Sequence, residues 1–321
     1  TSRQIIENLA NNESLMNLIQ SGARFHQAGC NGCIGMGQAP ATGRISLRTV
    51  PRNFPDRSGT KEDAVYLVSP ETATASALTG KITDPRDMEK EFNMQYPQYT
   101  HPENFIVNRD MLIPPSKDGR DTEIIKGPNI STMPNFDELG DFSGPVLLKM
   151  GDNVSTDEIL RAGAEVLPFR SNIPEISKFA FTVIDEHFYD RAMKTKEEYG
   201  SHIVVAGENY AQGSSREHAA IAPRYLGQKA VIAKSYARIG WQNLANFGIV
   251  PFNYVNPEDH DKIDQGDVLE FEDICNIVEK GEGVVHNKTK NIDIKVKHTL
   301  SSRQKAALVD GGVINHFKKN K

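Results

Sequence analysis

Residues 203–218 read Ile-Val-Val-Ala-Gly-Glu-Asn-Tyr-Ala-Gln-Gly-Ser-Ser-Arg-Glu-His, and this stretch decides the fold. Four consecutive apolar residues, a glycine-punctuated loop and an Ala-rich run over 218–226 predict a strand, a tight turn and a helix. Such a junction sets backbone N–H groups and Arg216 around one point, which is how a protein prepares a site for a carboxylate or phosphate. Ser214 and Ser215 suit three tasks: helix cap, donor to the anion, or, if deprotonated, base. An ordinary capped helix has the same outline. His218 reads as a packing or hydrogen-bonding residue.

Outward from this loop, strands and helices alternate. Residues 146–149, 202–206, 231–233 and 249–252 read as strands, and 174–182, 186–198, 215–225 and 236–247 as helices. The 267–297 stretch alternates like a hairpin, and 301–317 is helical with an interruption at Gly311-Gly312. Before residue 114 the pattern recurs. A helical stretch over 2–21 breaks near Asn11-Asn12, and a glycine-rich loop follows at 28–43. Apolar runs at 45–50 and 64–68 come next, then a helix capped by Ser69 with Pro70 at its first position, ending at Gly80. The class is α/β. Residues 85–143 are rich in Pro, Asn, Asp and Gly and predict irregular structure. The division expected is 1–113, a linker over 114–143, and a second domain over 144–321.

A length of 321 residues suits two domains, and 38% hydrophobic with 25% charged residues suits a soluble globular protein. A net charge of −5 gives no electrostatic reason for nucleic acid or an anionic membrane as partner. No apolar run has the length of a membrane span, and the sequence does not open on a signal-like segment. Three cysteines, an odd and low count, argue for a reducing compartment.

Cys30-Asn-Gly-Cys33 lies in the glycine-rich loop. Two thiolates at this spacing can clamp one metal, share an iron–sulfur cluster, form a redox pair or be structural. No second Cys or His pair completes a zinc site, and Cys275 lies in the other expected domain. Arg52 and Arg57 flank Asn53-Phe54-Pro55-Asp56, and guanidinium forks match carboxylates. Two solvated surface arginines are the plainer reading of composition alone. Ser155-Thr156-Asp157-Glu158 before Ile159-Leu160 has the form of a helix N-terminus. Arg170 follows Pro168-Phe169 in a loop.

Taken together, Cys30-x-x-Cys33-Ile-Gly, Arg52-Asn-Phe-x-x-Arg57, Gly151-Asp-Asn-Val-Ser-Thr-Asp157 and the 207–218 loop resemble the aconitases, in the order found in that family. The continuation Cys33-Ile-Gly-Met-Gly-Gln-Ala-Pro40 and Ser58-Gly-Thr-Lys61 resemble a bacterial-type branch. The resemblance covers the C-terminal half of such an enzyme. It implies the end of a three-layer α/β domain, a linker, and a swivelling β/β/α domain that carries the Gly-Ser-Ser-Arg loop. The implied reaction interconverts citrate and isocitrate through cis-aconitate, with a 4Fe-4S cluster as Lewis acid on the substrate hydroxyl. Cys30 and Cys33 would be two cluster ligands; the third belongs to an earlier Cys-Thr-Asn motif that this sequence does not contain. Arg52, Arg57 and Arg170 would bind carboxylates. Ser215 would be the base, flanked by Ser214 and Arg216, and Asp157 a further catalytic residue. The implied partners are a tricarboxylate substrate and the N-terminal half of the enzyme, in the cytoplasm or mitochondrial matrix. Activity of the chain without that half is not expected. RNA is bound by some cluster-free members, against which the −5 charge argues. Pro51 stands where the family has Asn, and Ala28-Gly-Cys-Asn-Gly-Cys33 departs from the commoner cysteine loop, so homocitrate, methylcitrate or isopropylmalate-type substrates are alternatives.

Overall fold

The computed structural model describes residues 2–320 apart from 30, 31, 33, 34, 36, 37, 51, 52, 54–56, 61, 63, 99–102, 111 and 164. Cys30, Cys33 and Arg52 therefore lie outside the described residues. The chain divides into two compact units, Thr1–Glu123 and Ile124–Lys321.

In the first unit, α1 (Arg3–Asn11) starts at Ser2, whose hydroxyl accepts the Ile5 N–H. A left-handed Glu13 (φ 63°) breaks the helical run before α2 (Ser14–Gln20). Strands β1 (Ile45–Arg48) and β2 (Ala64–Leu67) pair in parallel, Ile45 beside Ala64 and Arg48 beside Leu67. Helix α3 (Pro70–Thr79) has Ser69 as cap, accepting the Thr72 N–H at 3.1 Å, and Gly80 ends it at φ 73°. A short α4 (Met88–Phe92) interrupts the stretch expected to be irregular. Two strands are all the described residues of this unit supply, so the three-layer arrangement implied by the resemblance is not present in them.

The second unit begins its sheet with β3 (Phe142–Lys149), which starts earlier than the apolar run indicated. The linker expected over 114–143 is not all free. The Leu139 N–H donates to the Val309 carbonyl (2.9 Å), Ser131 to Ser171 (3.0 Å), and Arg224 to the Asp137 carbonyl (3.0 Å). Helices α5 (Thr156–Ile159), α6 (Ile173–Ile176) and α7 (Phe188–Tyr199) lead to β4 (His202–Ala206). Then come α8 (His218–Tyr225), β5 (Gln228–Ala233), α9 (Arg238–Asn246) and β6 (Val250–Tyr254). These helical crossovers are what parallel pairing of β3, β4, β5 and β6 requires. The chain then turns antiparallel through β7 (Val268–Phe271), α10 (Ile274–Lys280), β8 (Glu282–Asn287) and β9 (Ile292–Lys297), before α11 (Ser302–Val309) and α12 (Val313–Lys319). The hairpin expected within 267–297 is β8–β9; α10 was hidden because Ile274, Ile277 and Val278 form too short a helical pattern to stand out between strands.

Pairing of β7 with β3 closes the sheet into a seven-stranded barrel in the order β3-β4-β5-β6-β9-β8-β7. The β/β/α layering is corrected accordingly: the strands form one closed surface. Every strand contributes to one apolar cluster, with Val146, Ile203, Ile232, Phe252, Phe271, Val285 and Ile294 among its members. A second cluster joins Leu147, Val204, Ala206, Val231 and Ala233 to Phe181, Phe188, Leu226 and Leu244 from the helices and loops. Strand β4 is thus buried on both faces, which is why residues 203–206 are apolar without alternation. No helix among the described residues is long and apolar enough to cross a membrane.

His202, at the head of β4, is fully buried with Phe188 edge-on at 5.8 Å. Burial, aided by the nearby Arg191 charge, pulls its pKa down to about 3. The unfolded chain takes up a proton near pH 6.5 that the folded chain refuses, so stability falls as pH drops below that value. Urea unfolding between pH 6.5 and 5 is expected to lose about 2 kcal/mol in the wild type. The loss should largely vanish in His202→Leu.

Candidate active site

The loop after β4 is built by contacts with the segment after β3. Gly207 donates to the Gly151 carbonyl (3.0 Å), and a Cβ there would sit 2.0 Å from Asp152 Oδ1, so only glycine permits the approach. Asp152 Oδ1 accepts the Glu208 N–H at 2.7 Å. Asn209 (φ 57°), Ala211 (φ 61°) and Gly213 (φ 105°) carry the chain through left-handed turns. Tyr210 is buried, its N–H on the Ser235 carbonyl at 3.0 Å. The Thr156 N–H meets the Gln212 carbonyl (2.8 Å), and Thr156 Oγ1 accepts the Ser214 N–H (3.1 Å).

Arg216 locks the two segments together. Its Nη2 donates to Asp157 Oδ1 at 2.8 Å, and its Nη1 to the carbonyls of Thr156 (3.1 Å) and Leu160. The arginine side chain is 10% exposed and the aspartate 21%, a largely desolvated, charge-assisted pair. Asp157 Oδ1 also accepts the Ala162 N–H at 3.2 Å. Helix α5 is set by the capping box legible in the sequence: Ser155 Oγ accepts the Glu158 N–H (3.2 Å) and Glu158 Oε2 the Ser155 N–H (2.7 Å). Ser155→Ala is expected to cost about 1 kcal/mol in chemical unfolding.

The loop differs from the expected cradle in two respects. Most of its N–H groups from 207 to 214 are spent on the protein itself. Helix α8 begins at His218 with Glu217 as its cap residue, so neither Ser214 nor Ser215 caps it. What stays available lies further along: among the described residues, the N–H groups of Ser215, Glu217 and His218 donate to no partner. Ser215 is exposed, its carbonyl held by Asn243 Nδ2 at 3.4 Å. His218, set aside on sequence grounds, joins Arg170 to this point, its Nε2 donating to the Arg170 carbonyl at 2.7 Å. The contacts of Thr156, His218 and Asn243 could not be read from the sequence, because each acts through a partner distant in the chain.

The structure therefore gathers Asp157, Arg170, Ser214, Ser215 and Arg216 at one end of the second unit. Arg57 belongs to the first unit, where it is buried. Beside it, a Cβ on Gly35 would lie 2.1 Å from the Ser58 carbonyl oxygen, so Gly35 and Ser58 are packed backbone to backbone. Arg48 donates to the Gly32 carbonyl in the same loop. Among the described residues no three His, Cys, Asp or Glu side chains converge on a metal position.

Residues 1–80 match the family model of the aconitase family (aconitate hydratase), and residues 172–257 that of the aconitase C-terminal domain. The small subunit 2 of 3-isopropylmalate dehydratase from Archaeoglobus fulgidus is 39% identical over 172 residues, covering 54% of this chain and 92% of that protein. The chain belongs to the aconitase family. The mitochondrial aconitate hydratase of Gracilaria gracilis is 30% identical over 99% of this chain and 46% of its own length. The mitochondrial homocitrate dehydratase of Saccharomyces cerevisiae is 30% identical over 93% of this chain and 44% of its own. The chain thus spans about half the length of these aconitase-family relatives.

Proposed function

We propose that this chain carries one half of a hydro-lyase site in which Ser215 is the base. The observation that carries the reading is the Arg216–Asp157 lock, which joins two sequence motifs and leaves Ser215 exposed beside unspent N–H groups at the start of α8. A serine hydroxyl is a poor base at neutral pH unless donors stabilise its alkoxide, and such N–H groups are of that kind. Ser215, as its alkoxide, takes the proton from the carbon next to a substrate carboxylate while the C–O bond on the adjacent carbon breaks; the departing hydroxide takes a proton from solvent to become water, and rehydration reverses each of these events. Arg170 and Ser214 hold substrate carboxylates, and Arg52 and Arg57, which belong to the first unit, are assigned the same task by their motif. Arg216 acts by holding Asp157 and the loop in register.

Cys30 and Cys33 would hold two irons of a 4Fe-4S cluster. The donor set fits such a cluster in part: Cys275 is engaged in the second unit, its thiol on the Leu139 carbonyl at 3.4 Å, so a third thiolate comes from outside this sequence. When bound, the cluster supplies Lewis-acid polarisation of the departing hydroxyl. The substrate is a hydroxy-acid with two or more carboxylates: the tricarboxylates citrate and isocitrate in first place, with the tricarboxylate homocitrate and the dicarboxylate isopropylmalate as the alternatives that the named relatives suggest. The test is the chain assembled with the remaining half of an aconitase-family enzyme, reconstituted with iron and sulfide. Ultraviolet absorbance then follows the unsaturated acid formed from citrate, homocitrate and isopropylmalate. Turnover of one of the three is expected; turnover of none by a loaded cluster overturns the reading.

A further inference from the structure

Asp157, Ser214, Ser215 and Arg216 sit inside the two motifs at this end of the second unit, and Arg170 sits in neither. Arg170 is exposed, and its guanidinium makes no hydrogen bond or ion pair among the described residues. Such a side chain can pair with a carboxylate, but its many rotamers give it no fixed position of its own. Precision has to come from the backbone that carries it. That backbone is held at several points. The Arg170 N–H closes a turn on the Leu167 carbonyl (3.2 Å), and the Asn172 N–H donates to the Phe169 carbonyl (2.8 Å). The Phe169 ring stacks on Phe179 at 5.9 Å, and the Ser171 carbonyl accepts the Ser131 N–H at 3.0 Å. The bond from His218 Nε2 to the Arg170 carbonyl (2.7 Å) then ties the turn to the first residue of α8, three positions after Ser215. A carbonyl can only accept, so Nε2 carries the proton.

We infer that His218 is a positioning residue: its Nε2–H fixes the Arg170 turn against the start of α8 and so sets where the guanidinium meets a substrate carboxylate relative to Ser215. This rests on the reading of Arg170 as a carboxylate ligand. The bond goes to the main chain of Arg170, so every guanidinium donor stays available for the ligand. It is also made before any substrate arrives, so ordering of the turn costs nothing at binding. Loss of the tie should therefore appear in affinity. A histidine acting as acid or base would appear in kcat instead.

His218→Ala and His218→Gln test it with two readouts, the glutamine keeping an N–H donor close to the place of Nε2. In the full chain, the amides of Arg170 and Asn172 should exchange about tenfold faster in His218→Ala and near the wild-type rate in His218→Gln, with those of 203–206 unchanged in both. In the chain assembled with the remaining half of an aconitase-family enzyme, calorimetry reads the affinity for citrate, homocitrate and isopropylmalate. The acid that wild type binds most tightly should bind His218→Ala about tenfold more weakly, and His218→Gln should recover most of that loss. KM should rise to match, while kcat falls less than about threefold. Unchanged exchange in His218→Ala overturns the inference, as does faster exchange with unchanged affinity. A fall in kcat with affinity intact makes His218 an acid or base and overturns it too. A wild type that binds an acid without turning it over sinks the hydro-lyase reading, while exchange and affinity still decide this one. A wild type that binds none of the three overturns both.

Discussion

Replacing Ser215 by Ala in the assembled, cluster-loaded enzyme is expected to lower kcat about 10²–10⁴-fold while KM changes little. The exposed hydroxyl makes no hydrogen bond to another described residue, and its removal leaves no buried group unsatisfied. The thermal transition should accordingly stay in place. Ser214→Ala serves as the comparison. Its backbone N–H, not its hydroxyl, ties the loop to Thr156, so it should affect KM more than kcat. A Ser215→Ala enzyme with wild-type kcat would exclude Ser215 as the base. A loss of kcat matched by a loss of folded protein would make its role structural.

Arg216 should behave in the opposite way, because its guanidinium is committed within the protein. Arg216→Ala strands the Asp157 carboxylate and the Thr156 and Leu160 carbonyls in a site only partly open to water. The expected cost is about 2–4 kcal/mol in chemical unfolding, with activity lost as the loop loosens. Arg216→Lys should recover little, since one ammonium cannot reproduce a fork that reaches a carboxylate and two carbonyls. Combining Arg216→Ala with Asp157→Asn should show a coupling of about 1–3 kcal/mol. Stability within about 0.5 kcal/mol of wild type would remove the lock and return Arg216 to a purely substrate-binding role.

Much of this molecule could be read from short-range physics. Residues 203–206 gave a strand buried on both faces, and the Ser69, Ser155 and Ser301 helix starts are capped as their side chains dictate. Gly311-Gly312 divides α11 from α12, and Glu13 divides α1 from α2 next to the asparagine pair expected to do so. These features depend on residues a few positions apart. The motifs likewise carried the family, because residue type and spacing are properties of the sequence itself.

Tertiary structure decided what depends on distant partners. Closure of the barrel required β7 to meet β3, more than a hundred residues apart, and no local pattern encodes that pairing. The sequence set backbone N–H groups and Arg216 around one point, but the chain after β3 consumes most of the N–H groups before residue 215 and leaves those of Ser215, Glu217 and His218. Arg216, expected at the anion site, is a lock because Asp157, Thr156 and Leu160 come to it from the segment after β3. The sequence by itself determined the strands, the caps and the chemical groups on offer. Only the tertiary structure decided which of those groups are spent on folding, because a donor bonded within the fold has none of its capacity left for a ligand.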